Sequence, residues 1–278
     1  MAAVKLEQID GLRDRLHPAR AVRRAVAAKH RSDGRALDGA RPVVLEASGP
    51  RSGADQLTIG GAVAAIGASR CRCAVELGVA EPDAPLLSFE VRRGAAAADD
   101  RWCRAVERLL DGSFGSDAAL DRRKLDVAGG AFWALRVVAL VESDDGAAAD
   151  CCGFAASAAL NAARLPGAAV DDAGAVELRP GADAPVPGRP LPLALLAAPL
   201  TCAVFEGAVL ADPTAAEAAV ATPVTVVAAV DATAPPGAPT TKLLKVLVPG
   251  GDHAVPATAL AACVAMAGER AKGVAFPR

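Results

Sequence analysis

Phe132-Trp-Ala-Leu-Arg-Val-Val-Ala-Leu-Val-Glu-Ser-Asp-Asp-Gly146, continuing from Ala147 to Pro166, decides how this chain is read. Its β-branched first part predicts a strand over 132–142. Asp144-Asp145-Gly146 supplies a turn. An alanine-rich helix is expected next, with Asp150 as its N-cap and Cys151, Phe154, Ala158 and Ala162 on one stripe. Small residues on that stripe let the helix lie close to a sheet. The helix stops at Leu165-Pro166, because proline does not continue it.

Upstream, Pro18 opens a basic helix to Lys29 whose apolar stripe is Val22 and Val26, with Arg20, Arg23, Arg24 and Lys29 on the remainder. Either it touches RNA or it is a solvated face. Strands are expected at 42–47, 60–67 and 70–77. In the last of these Cys71, Cys73 and Val75 face one way and Arg70, Arg72 and Glu76 the other. Residues 81–85 read as a loop and 86–91 as a strand ending in Arg92-Arg93-Gly94. Asp99-Asp100 then caps a helix over 101–110 that buries Trp102, Val106, Leu109 and Leu110. Downstream, the Pro/Gly-rich stretch 180–190 reads as a linker or long loop. Strands follow near 201–205, 208–211, 224–230 and 243–248, with a loop at 235–239 and a closing helix from Pro256 to about Lys272. Strands in runs with three or four helices give an α+β fold with two similar halves.

The bulk numbers remove several function classes. At 278 residues the chain can bury a sizeable core, and its net charge of −2 gives no overall pull on nucleic acid, so any RNA contact is a local patch or a partner's. The seven cysteines include no Cys-x-x-Cys, and the three histidines lie far apart in sequence, which argues against zinc and against a secreted disulfide scaffold. Buried, inert thiols in a reducing cytosol or nucleus are expected. Residues 1–10 carry acids and no apolar run, so they do not read as a signal peptide. Residues 191–210 are interrupted by Pro192, Pro199 and Glu206, and read as two buried strands of a soluble protein rather than a membrane span.

No P-loop, dinucleotide-binding glycine motif or nucleophile elbow is present. Five stretches point elsewhere. They are Arg31-Ser-Asp-Gly-Arg35, Gly60 to Gly67, Trp133 to Pro166, Ala203 to Thr214 (with Ala211-Asp-Pro-Thr214), and Lys245 to Gly251 (with Pro249-Gly-Gly251). In order and separation they resemble the RNase PH-like subunits of the eukaryotic RNA exosome, over roughly residues 18–272. The resemblance implies an RNase PH fold (ribosomal protein S5 domain 2-like), a single α+β domain over 18–278 with mixed sheets and packed helices, after an extension at 1–17. It also implies a non-catalytic ring subunit that supports 3′-to-5′ RNA processing and degradation. Its partners would be other RNase PH-like subunits in a hexameric ring, cap RNA-binding subunits, associated nucleases and RNA, but no membrane. Its place would be the nucleus, nucleolus and cytoplasm.

Within that family, active members are phosphorolytic exoribonucleases with an Asp-x-x-x-x-Glu-Asp … Asp series. With Asp212 on the first acid, the later ones fall at Ala218 and Val224, which neither donate a proton nor bind a cation. Glu217, one residue off, reads as helix or turn surface. No catalytic residue, metal or cofactor is therefore expected; the alternative is an active phosphate-dependent exoribonuclease that uses Glu217. Arg92 and Arg93, with Arg101 and Arg104, are the candidate RNA contacts, because a guanidinium fork binds phosphate whatever the base. Solvated charge or an intersubunit salt bridge is the other reading of these arginines.

Overall fold

A computed structural model describes residues 16–52, 57–80, 84–94, 100–115, 119–128, 131–170, 176–178, 188–233 and 241–277. The proposed extension up to residue 15, Asp99, Asp171-Asp172, and most of the loops at 81–85, 180–190 and 235–239 lie outside them.

Strict alternation builds the first sheet. In β4 (Ser69–Ala80), Cys71, Cys73 and Val75 are buried and Arg70 and Arg72 exposed, as the period of two requires. β4 pairs antiparallel with β3 (Leu57–Ile66) through a tight turn at Gly67, whose φ of +57° favours glycine. On its other side lies β7 (Ala131–Ser143), and β5 (Leu87–Arg93) adds to β7 in parallel. β1 (Val43–Ser48) closes the far edge against β3, giving the order β1-β3-β4-β7-β5, with β2 (Arg51–Ser52) on β3 and β6 (Asp126–Ala128) on β7. Two short ladders, β8 (Arg164–Leu165) with β11 (Arg189–Pro190) and β9 (Ala168–Val170) with β10 (Val176–Leu178), are separate. Arg189 and Pro190 therefore belong to a strand, not to the loop expected over 180–190.

The second sheet is antiparallel, in the order β13-β12-β14-β15. β12 (Leu195–Phe205) is buried at every residue but Thr201, because both its faces are covered. β13 (Ala208–Ala211), β14 (Thr222–Asp231) and β15 (Thr241–Leu247) complete the sheet. α5 (Ala257–Gly273) lays Ala259, Cys263 and Ala267 on Leu200, Cys202, Val224 and Val226. α1 (Pro18–Ala28) inserts Val22 beside Phe205 and Leu210. α2 (Asp100–Phe114) runs one turn beyond the expected 101–110, since Phe114 stacks on Phe89 of β5 at 5.8 Å. All seven cysteines are buried and free.

α3 (Ala148–Ala162) departs from its sequence reading in two ways. Thirteen of its fifteen residues are buried, so it is not an amphipathic stripe but the layer between the two sheets, touching β3 and β4 on one side and β12 on the other. Alanine is small enough to permit this on every face. Its N-cap is Ala147, and Asp150 sits inside the first turn instead of capping it. The approach is closest at Gly60 of β3, where an added Cβ would lie 2.6 Å from the Ala159 carbonyl oxygen and 2.7 Å from the Ala163 Cα. Both are backbone atoms that cannot swing away. Gly60→Ala should therefore destabilise the chain by about 3 kcal/mol through overpacking, read from urea unfolding. A loss under about 0.5 kcal/mol, the range of neutral surface changes, would contradict this packing.

Candidate functional site

The Arg31-Ser-Asp-Gly-Arg35 segment folds as a turn, with Gly34 at φ +86° and the Arg31 N–H donating to the Arg35 carbonyl at 2.9 Å. The turn aims both arginines at the second sheet. Arg31, fully buried, donates from Nε to Glu217 Oε1 at 2.9 Å and from Nη2 to Glu217 Oε2. Its Nη1 also reaches the Ala211 carbonyl at 2.6 Å and its Nη2 the Asp212 carbonyl at 3.0 Å. Arg35 donates from Nε to Asp33 Oδ2 at 2.8 Å and from Nη1 to Asp212 Oδ2 at 3.0 Å. Arg41, just before β1, adds its backbone N–H and Nε to Asp212 Oδ2 at 2.7 and 2.8 Å, and Nη2 to Oδ1 at 2.8 Å. From the same guanidinium, Nη1 reaches Asp145 Oδ2 at 2.9 Å.

Four acids, Asp33, Asp145, Asp212 and Glu217, thus gather in one place, and each is held by an arginine. Glu217 is not surface, as its sequence context suggested. It occupies the third position of α4 (Ala215–Ala218), is 6% exposed, and accepts from the Thr214 N–H at 2.8 Å in a reciprocal capping box. Short-range sequence shows that cap; its arginine partner lies 186 residues away and leaves no local signal. Asp212 is fully buried in the left-handed region, φ +47°, a conformation that aspartate tolerates better than most residues. Burial is the largest single influence and raises its carboxyl, but the hydrogen bonds and charge of Arg41, with the charge of Arg270, together outweigh it and hold the group below the ordinary carboxylate value. Arg41 is raised in turn, chiefly by its hydrogen bond to Asp212. Ala218 is half-buried at the end of α4, and Val224 points into the core under α5.

Asp150 was expected to cap α3. Instead it crosses to β12, accepting from the Thr201 N–H at 2.8 Å and from Thr201 Oγ1 at 2.7 Å, and Thr201 Oγ1 continues to Thr225 Oγ1 at 3.0 Å. Burial raises the Asp150 carboxyl, against the opposing pull of Arg270 and of the Thr201 hydrogen bonds. The capping duty falls to Asp144, whose Oδ1 accepts from the Gly146 and Ala148 N–H groups at 2.9 and 3.3 Å. Gly146 is required here: its φ is +90°, and a Cβ would meet the Pro213 carbonyl oxygen at 2.4 Å. Among the described residues, no group of three His, Cys, Asp or Glu side chains is arranged to hold a metal ion.

The four candidate RNA-contacting arginines do not form one patch. Arg92 and Arg93 leave β5 on opposite faces. Arg92 is exposed on the open face of the first sheet and pairs with Glu90. Arg93 pairs with Asp144 and stacks 4.6 Å over the Trp102 ring, which brings it against α2. Arg101 and Arg104 are exposed on α2.

This geometry fixes the sign of an acid titration. A carboxyl held below its ordinary value stabilises the fold above that value, and its contribution is lost as pH falls through the depressed one. Asp212→Asn keeps the left-handed backbone accessible, so it should cost about 3 kcal/mol at pH 7 by removing the charge. The gap to wild type should narrow as pH drops below the ordinary carboxylate range and close as it falls through the depressed value. Asp150 has the opposite sign: its raised value costs stability as pH rises past the ordinary range, so Asp150→Asn should be tolerated at pH 7. Urea unfolding at pH 7 and about pH 2 tests both; a pH-independent Asp212→Asn gap would contradict the ion-pair assignment.

No family model and no curated protein matches the chain. Solved structures do. A chain of an archaeal exosome core superposes with a TM-score of 0.67 at 20% identity, covering 91% of this chain and 94% of the other. A chain of the Archaeoglobus fulgidus exosome with RNA bound to the active site gives 0.66 at 20% identity, over 89% and 92%. Rrp46 of rice (Oryza sativa) gives 0.57 at 18% identity, over 85% and 92%. The chain has the α+β fold of RNase PH-like exosome subunits, over nearly their whole length.

Proposed function

We propose that this chain is a non-catalytic RNase PH-like subunit of an exosome core ring, nearest to the subunit called ribosomal RNA-processing protein forty-three. It supports 3′-to-5′ processing and degradation of RNA, including maturation of ribosomal RNA and turnover of messenger RNA, in nucleus, nucleolus and cytoplasm. Its partners are other RNase PH-like subunits, the cap RNA-binding subunits and a separate nuclease. One observation carries this reading. Asp212 and Glu217, the acids nearest the family's catalytic register, spend their oxygens on Arg31, Arg35 and Arg41, while positions 218 and 224 are apolar. A general acid or a metal ligand needs a carboxylate free to meet the substrate or cation. Both of these are tied within the fold.

What the chain offers RNA is positive charge: Arg92, Arg93, Arg101 and Arg104 around the end of β5 and the start of α2. The active-exoribonuclease reading requires Glu217 to leave Arg31, and nothing in the hydrogen-bond geometry favours that. Incubated with inorganic phosphate and 3′-labelled RNA, the purified chain should release no nucleoside diphosphate. In rings purified with the chain, Arg92→Glu with Arg93→Glu should shorten the protected RNA without changing subunit composition. Phosphate-dependent diphosphate release would overturn the non-catalytic reading, and unchanged protection by intact rings would remove the arginine assignment.

A further inference from the structure

The open face of the first sheet carries an arginine-walled groove that the reading above does not use. Small residues on this face, Gly61 and Ala74, lie in its floor, and its volume is about 520 Å³. Gly61 is needed for this, since a Cβ there would sit 2.7 Å from Ser48 Oγ and close the groove. Arg51, Arg70 and Arg72 line the groove, with the hydroxyls of Ser48 and Thr58 and one carboxylate, Glu46. Arg70 and Arg72 have 45% and 61% of their side chains exposed and share a single acid, Glu142, at 2.7 and 3.1 Å. Two guanidinium forks on one carboxylate leave most of their N–H groups without a protein acceptor among the described residues. Arg51 is exposed and makes no ion pair among the described residues.

The groove runs toward an arginine already singled out. Arg72 of β4 and Arg92 of β5 both stand beside Leu140 of β7, so they flank it in one row across the same face. At about 4.8 Å per strand spacing, their backbones are about 10 Å apart. The other acids of this face, Glu76 and Glu90, are both paired with Arg136, and Glu90 also with Arg92. Along the groove itself the guanidinium groups exceed the carboxylates.

We propose that this groove binds the phosphodiester backbone of single-stranded RNA, as a continuation of the contact at Arg92. Arg51 and Arg72 supply bidentate forks to phosphate oxygens, and Ser48 and Thr58 supply hydroxyl donors. Backbone contacts of this kind carry no base preference. The inference rests on the RNA-contacting reading but uses different residues, so the two can fail separately.

Fluorescence anisotropy of a labelled 20-nucleotide oligouridylate, with the full-length chain over a series of NaCl concentrations, tests the proposal. Each phosphate neutralised on a single strand contributes about −0.7 to the slope of log K against log salt. Arg51→Ala with Arg72→Ala should therefore flatten the slope by about 1.4 and weaken binding at low salt, with an unchanged melting temperature because both side chains are on the surface. An unchanged slope in a folded variant overturns the groove. If Arg92→Glu with Arg93→Glu flattens the slope while Arg51→Ala with Arg72→Ala does not, the groove falls and the first contact stands. Oligoglutamate of equal charge displacing the RNA at equal concentration would overturn it in favour of an acidic protein partner. No RNA binding by any form at low salt would overturn both.

Discussion

The Asp212 carboxylate sits where the two sheets meet, and what surrounds it depends on its charge being met. It follows β13 of the second sheet; Arg41, which grips both its oxygens, leads directly into β1 at the edge of the first. The same guanidinium takes Asp145, at the end of β7 in the first sheet. One half-buried arginine therefore ties its own segment to two others, 104 and 171 residues further along the chain. Arg31 and Arg35 brace the arrangement from the turn before it, donating to the carbonyl of Asp212 as well as to carboxylates. A buried carboxylate without such partners would be protonated or would refuse burial. With them it is held in its charged form.

That arrangement bears directly on chemistry. Acids assembled in one place are the usual starting point for proton transfer or metal binding, and a census of residue types would mark this cluster as a candidate active site. In this structure the carboxylates of that cluster are taken up by arginines within the fold. Asp212 is depressed, chiefly through Arg41 against the cost of burial, and so is a poor proton donor. Asp150, which burial raises, lies sealed between α3 and β12 with its oxygens on Thr201. The same guanidinium chemistry that immobilises Asp212 and Glu217 is found unburied on the open sheet face, where Arg70, Arg72 and Arg92 meet solvent. Inside, arginine makes architecture; outside, its guanidinium groups stand in solvent.

Much of the fold was legible because periodicity is local. The alternation of cysteine and arginine in β4, the strand over 132–142, the Asp-Asp-Gly turn and the basic helix from Pro18 all follow from residues within a few positions of each other. Composition misled where alanine removed contrast. A helix of alanine, cysteine and glycine shows no polar face, and the choice between a stripe and a fully enclosed layer is made by the sheets on either side of α3. Asp150 looked like a cap because Asp before an apolar run usually is one, whereas its partner Thr201 comes 51 residues later. Glu217 looked exposed for a similar reason. The Arg-x-Asp-Gly-Arg motif could be quoted from the sequence, but its duty toward residues 212 and 217 could not, since long-range pairing has no period.

The central claim is that Asp212 and Glu217 are held as ion pairs that support the fold. A double-mutant cycle on Arg31 and Glu217 by equilibrium unfolding tests it most directly. Arg31→Met and Glu217→Gln should each cost about 3–5 kcal/mol, because each strands a buried partner. The double variant should cost little more than either alone, with a coupling well above 1 kcal/mol. Additive losses, with coupling under about 0.5 kcal/mol, would mean that the two side chains act independently and that Glu217 is available for other work.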